Sequence, residues 1–193
     1  DLVKELGECF MAFDTIIEKY NLEKIKTIGD SYMCAGGIPS PSKKHPVNIV
    51  KASLEIQQYI VDNNRKRQEM GLQPWDVRVG IHVGPLVAGV VGKKKYAYDI
   101  WGSTVNIASR MESNGVPGKV NISAATYELV KDRFSCSYRG KINAKNIGDI
   151  DMYFVDFEFP EGAASESIVK IQRITEDEEV MKNEGEEVFR NDN

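Results

Sequence analysis

Three short stretches of this 193-residue chain concentrate the side chains able to do chemistry: Lys24-Ile-Lys-Thr-Ile-Gly-Asp30, Gly80-Ile-His-Val-Gly-Pro-Leu-Val-Ala-Gly89 and Tyr98-Asp-Ile-Trp-Gly-Ser-Thr-Val-Asn-Ile-Ala-Ser-Arg-Met111. Lys26 supplies only hydrogen-bond donors, whereas an ionised Asp99 supplies only acceptors. Asp30 follows a glycine at a turn, where an acid is commonly a turn former; its carboxylate is also a hard oxygen ligand for a divalent cation. Asn106 and Arg110 are four residues apart, so on a helix both project from one face. Taken singly each has a plainer reading: Lys26 as a strand lysine, Asp99 as a loop acid, and Asn106 with Arg110 as a solvated helix face.

The elements that must hold these residues follow from periodicity. Leu2, Leu6, Phe10, Phe13 and Ile17 predict a helix over residues 1–20, already under way at Asp1. Residues 24–36 read as a hairpin turning at Gly29-Asp30, and residues 46–70 as a long helix with Val50, Leu54, Ile60 and Val61 as its buried stripe. Val77–Val83 and Val87–Val91 read as strands, Lys93–Tyr98 as a basic, aromatic arm, and Thr104–Met111 as a short helix. Val120–Ile122 reads as a strand, with Ser123 capping a helix that ends near Phe134. Cys136–Lys141 and Met152–Phe159 complete the strands. Helices alternating with hairpins point to an α+β fold of the split βαβ, ferredoxin-like kind. His82, between Ile81 and Val83, reads as a satisfied core or interface histidine, and Met111 and Trp101 read as packing or interface residues.

Composition narrows the class. Hydrophobic residues make up 41% and charged residues 28%, which excludes collagen-like, coiled-coil and wholly disordered chains. Three cysteines and two histidines are too few for a disulfide framework or a His-rich metal centre. No apolar run approaches the ~18–20 residues of a membrane span and no signal peptide is evident, so a cytoplasmic setting is expected. The net charge of −4 is unevenly spread: residues 161–193 hold ten acidic and four basic side chains, leaving residues 1–160 slightly basic. We expect one domain over 1–160 and an acidic tail over 161–193, partly helical or disordered. The charge is too low for a bulk nucleic-acid binder.

The three stretches, in this order, resemble the catalytic domain of the class III nucleotidyl cyclases, the adenylyl and guanylyl cyclases, from about residue 1 to residue 157. The resemblance implies a site between two domains and two Mg2+ or Mn2+ ions, with Asp30 as one of two metal carboxylates. The second carboxylate sits in the family within a Phe-x-Asp-x-x-x-Phe pattern on a first strand. Neither that pattern nor the phosphate-cradling turn after it occurs in this sequence. The first strand is thus expected to be missing, and the chain alone is expected not to be catalytically competent.

The resemblance also assigns the base-reading pair. Adenine offers an acceptor at N1 and a donor at its 6-amino group, and guanine the reverse. Lys26 toward N1 and Asp99 toward the amino group fit adenine and mismatch guanine twice. Family guanylyl cyclases usually carry Glu and Cys there. The backbone of Ile100 adds a base contact, Asn106 orients the ribose and Arg110 meets the α-phosphate, where charge develops in the transition state. Lys145 corresponds to a lysine that contacts the β- and γ-phosphates, although Asn146 replaces the usual glycine and Ile147 a common second lysine. The expectation is an adenylyl cyclase domain converting ATP to 3′,5′-cyclic AMP and pyrophosphate. Because one chain carries Asp30 together with Lys26, Asp99, Asn106 and Arg110, a homodimer is expected, in the cytoplasm or as the cytoplasmic part of a membrane protein. The alternatives are a guanylyl cyclase, or a nucleotide-binding regulatory domain without turnover. A Phe-x-Asp pattern upstream in the parent protein would favour the enzyme.

Overall fold

The computed structural model describes residues 2–92, 96–144 and 148–160. The expectations for Lys93–Lys95, Lys145 and the tail over 161–193 lie outside them. Helix α1 (Leu2–Lys19) packs against α2 (His45–Glu69) through Phe13, Ile16 and Ile17 on one side and Ala52, Ile56 and Ile60 on the other. The stripe predicted for α1 runs out at its start, because Leu2 is exposed. On α2, Val50 and Ile60 are buried as expected and Leu54 is half-buried, but Val61 is exposed. Neighbouring helical residues are ~100° apart, so Ile60 and Val61 cannot both face one partner. Ala52, Ser53, Ile56 and Gln57 fill the stripe instead.

Strands β1 (Glu23–Ile28) and β2 (Ser31–Ala35) form the predicted hairpin, with Gly29 at φ 61° in its turn. The central sheet has the order β3-β6-β8-β7, built from β3 (Val79–Ile81), β6 (Val120–Ser123), β7 (Phe134–Ala144) and β8 (Gly148–Glu158). β3 and β6 are parallel, whereas β8 runs antiparallel to both β6 and β7. Period-2 alternation gives this sheet two buried faces. Val120, Ile122 and Val155 face α2 and α4 (Ala124–Val130), while Met152 faces α3 (Ser103–Ser113) with Ile107 and Met111. Strands β4 (Val87–Val91) and β5 (Ala97–Trp101) make a separate two-stranded ribbon.

The fold is α+β, as expected, with three corrections. The strand expected over 77–83 is only Val79–Ile81, because its flanks are bonded elsewhere. Val77 O accepts from Gln57 Nε2 and from Gly118 N, and Val83 N donates to Thr126 Oγ1. The helix expected to end near Phe134 stops at Val130, and Phe134 opens β7 fully buried. Asp99 is a strand residue rather than a loop acid. Ser123 does cap α4, its Oγ accepting from Thr126 N at 3.4 Å. The described strands form three sheets, and none of them joins the β1–β2 hairpin to the central sheet.

Candidate functional site

Lys26 and Asp99 are 73 residues apart in sequence and meet in the fold: Lys26 Nζ lies 2.6 Å from Asp99 Oδ2. A bulge between Lys24 and Lys26 interrupts the β1–β2 register. Without it both lysines would share a face; with it Lys24 turns to Asp14 on α1 and Lys26 to the ribbon. On β5, Asp99 stands opposite Gly89 of β4 and accepts at its other oxygen from Ile100 N at 2.8 Å. The hydrogen bond from Lys26, then that from Ile100 N–H, holds the Asp99 carboxyl below the usual aspartate range. The pair thus presents one donor and one acceptor side by side on a half-open surface. The Ile100 backbone is the part expected to meet the base; its N–H donates to Asp99 Oδ1, and the Ile100 side chain is buried.

Asn106 and Arg110 lie on α3, both exposed and one helical turn apart. The helix starts from Gly102, whose φ of 137° is open to glycine alone, and no side chain caps it. Thr104 Oγ1 instead donates to Pro85 O at 2.5 Å and anchors the first turn to the loop before β4. Asp30 is exposed in the β1–β2 turn. Its carboxylate suits a hard cation, but no cluster of three or more His, Cys, Asp or Glu able to hold an ion exists among the described residues. The described residues therefore do not form the expected two-ion centre by themselves.

His82 is half-buried, with Nδ1 2.7 Å from Ser123 Oγ, and burial lowers its pKa. Met111 is fully buried, as a packing residue should be, and Trp101 is partly exposed. A cleft of about 780 Å³ opens where α1 ends and α2 begins, lined by Asp14, Glu18, Lys24, Lys44 and His45 among others. None of the candidate residues lines it. Sequence reasoning missed Gly80 and Asn121, which contact the backbone of α3; Gly80 lies inside the second stretch, but its spacing alone gave no sign of a partner.

Comparison with known proteins places this geometry. The adenylate and guanylate cyclase catalytic domain matches residues 1–156. An adenylate cyclase of Mycobacterium tuberculosis is 38% identical over 155 residues, covering 80% of this chain and 34% of the relative. The guanylate cyclase soluble subunit beta-2 of Rattus norvegicus is 36% identical over 155 residues, covering 80% of this chain and 22% of the relative. Among solved structures, the adenylyl cyclase CyaB from P. aeruginosa superposes with a TM-score of 0.78 at 28% identity, covering 84% of this chain and 85% of that one. The chain spans about a third or less of the length of these curated relatives. No described helix is long and apolar enough to cross a membrane.

Proposed function

The chain belongs to the adenylate and guanylate cyclase catalytic domain family, class III, and on that premise we propose that its site converts ATP to 3′,5′-cyclic AMP and pyrophosphate. Relatives of both base preferences are about equally similar, so the choice of ATP rests on this chain's own residues. The observation that carries it is the 2.6 Å contact of Lys26 with Asp99. The base exchanges into this pair: Lys26 donates to N1, Asp99 accepts from the 6-amino group, and each group keeps a partner. Guanine in the same pose would set its N1–H against the ammonium and its O6 against the carboxylate, leaving buried polar groups mispaired.

Asn106 orients the ribose, and Arg110 places a guanidinium where charge builds on the α-phosphate, a contact that strengthens in the transition state. Lys145 meets the outer phosphates. Asp30 supplies one carboxylate to the divalent ions of the reaction. A second copy of the chain completes each site. The β4–β5 ribbon supports this: Val87, Val90, Val91 and Tyr96 are exposed, and a lone two-stranded ribbon with apolar faces gains stability by being covered. Residues 1–160 form the catalytic unit and 161–193 an appended acidic tail, in the cytoplasm or on the cytoplasmic side of a membrane protein.

The experiment is product analysis with the full-length protein, ATP or GTP, and Mg2+ or Mn2+. Cyclic AMP as the dominant product supports the reading. Dominant cyclic GMP assigns a guanylyl cyclase, and specific nucleotide binding without turnover assigns a regulatory domain.

A further inference from the structure

Besides the packing of Ile107 and Met111 on Met152, the sheet meets the backbone of the helix that carries Asn106 and Arg110 at two points. At Gly80 in β3 there is no room for a side chain. A Cβ there would overlap the backbone nitrogen of Glu112 and lie 2.5 Å from both Glu112 Cα and the carbonyl carbon of Met111. These are main-chain atoms of α3, so no rotamer change relieves the overlap; the helix itself must move. At Asn121 in β6, fully buried, Nδ2 donates to Met111 O at 2.8 Å. Because α3 ends at Ser113, Met111 O lies in the last turn, where helical carbonyls lose their i+4 amides; Gly115 N, the amide in question, is given to Glu112 O. Both contacts fall on the two residues that follow Arg110.

Asn121 is a costly choice for stability alone. Among the described residues its Oδ1 accepts no hydrogen bond, and a buried unpaired acceptor is destabilising. Its neighbours on the strand, Val120 and Ile122, are apolar. What Asn121 supplies that an apolar residue would not is one directed bond to the end of α3.

We propose that Gly80 and Asn121 are positioning residues for the cyclase reaction, a two-point seat that fixes the height and rotation of α3 and so the place of the Arg110 guanidinium. Neither touches substrate. The proposal rests on the cyclase reading given above. It differs from a packing role in what it protects: the transition-state contact on α3, with the base-reading pair on β1 and β5 left alone.

The test is steady-state kinetics of the full-length enzyme with ATP, together with amide hydrogen exchange across Val105–Met111. Gly80→Ala should lower kcat by about 10²-fold, since displacements near 1 Å have that effect on positioned groups, while KM stays within about threefold. Asn121→Leu, which keeps the volume and removes the donor, should lower kcat by about tenfold. Both should speed exchange of the α3 amides. Folded variants with wild-type kcat and unchanged exchange overturn the seat, as does a loss carried by KM at constant kcat. If Gly80→Ala does not fold, Asn121→Leu decides by the same criteria. A wild type that turns over neither ATP nor GTP overturns the cyclase reading instead, and α3 exchange in the variants still decides whether the seat exists.

Discussion

The two halves of the proposed site are built on opposite plans. Lys26 and Asp99 sit on two ribbons, β1–β2 and β4–β5, and hold each other by one part-buried ion pair. Asn106 and Arg110 stand on α3, whose inner side is buried against the central sheet by Ile107, Met111 and Met152 and pressed onto the strand backbone at Gly80. In the proposed reaction the first half chooses the base, through two side chains that are only partly exposed. In that reaction the second would have to place charge to a fraction of an ångström, and it stands on a layer that cannot shift without unpacking. The proposal thus puts selectivity on exchangeable contacts and rate on a rigid seat.

Substitutions that separate the halves should differ in kind as well as size. The largest loss is expected from Asp30→Ala in the full-length protein: turnover abolished with the fold intact, because the side chain is exposed and lies in a turn. Near-normal turnover in a folded variant would remove Asp30 from the site. Arg110→Ala should cut kcat by roughly 10²-fold or more with a much smaller change in KM. A raised KM with unchanged kcat would make Arg110 a ground-state binder and erase the contrast between the halves. Met111→Ala tests the seat as packing: Met111 is 0% exposed, and the loss should be about 2–5 kcal/mol by denaturant unfolding. A change below that range would mean that α3 is less firmly held than its contacts indicate.

The smallest effect belongs to the ribbons. Lys26→Met removes a pair whose lysine side chain is 40% exposed, so the denaturant midpoint of unfolding should barely move. The same substitution should raise the Asp99 pKa toward its ordinary value, read by NMR of the side-chain carboxyl. The sign follows from the native state: Asp99 titrates below an unfolded aspartate, so its contribution to stability is present above the unfolded pKa and fades as pH falls through the native one. An unmoved Asp99 titration would show that Ile100 N–H, and not Lys26, sets it.

Much of this was legible in the residues, and the failures are instructive. The β1–β2 turn announced itself through Gly29-Asp30, and α1 through its 3.6-residue period. β5 did not. Ala-Tyr-Asp-Ile-Trp buries only Ile100 and owes its strand to pairing with β4, a non-local partner. The bulge that separates Lys24 from Lys26 left no mark in the sequence, yet it delivers Lys26 to Asp99. Of the site, the resemblance named the residues, and the fold showed that two of them touch. Gly80 was visible as a residue but not as a contact, because its role depends on backbone atoms of a helix 32 positions away.

The pairing of Lys26 with Asp99 is most directly tested by a double-mutant cycle in base choice. The measurement is kcat/KM for ATP and for GTP in wild type, Lys26→Glu, Asp99→Cys and the double variant, all full length. Lys26→Glu turns a donor into an acceptor for the N1–H and amino group of guanine, and Asp99→Cys removes the anion that faces O6. Each single change leaves one mispairing and should mainly lose ATP activity. The double variant relieves two mispairings worth ~1–3 kcal/mol each and should shift the ratio toward GTP by more than either single change. An ATP:GTP ratio that stays the same across all four proteins would show that these residues do not read the base, and would contradict the assignment of ATP as substrate.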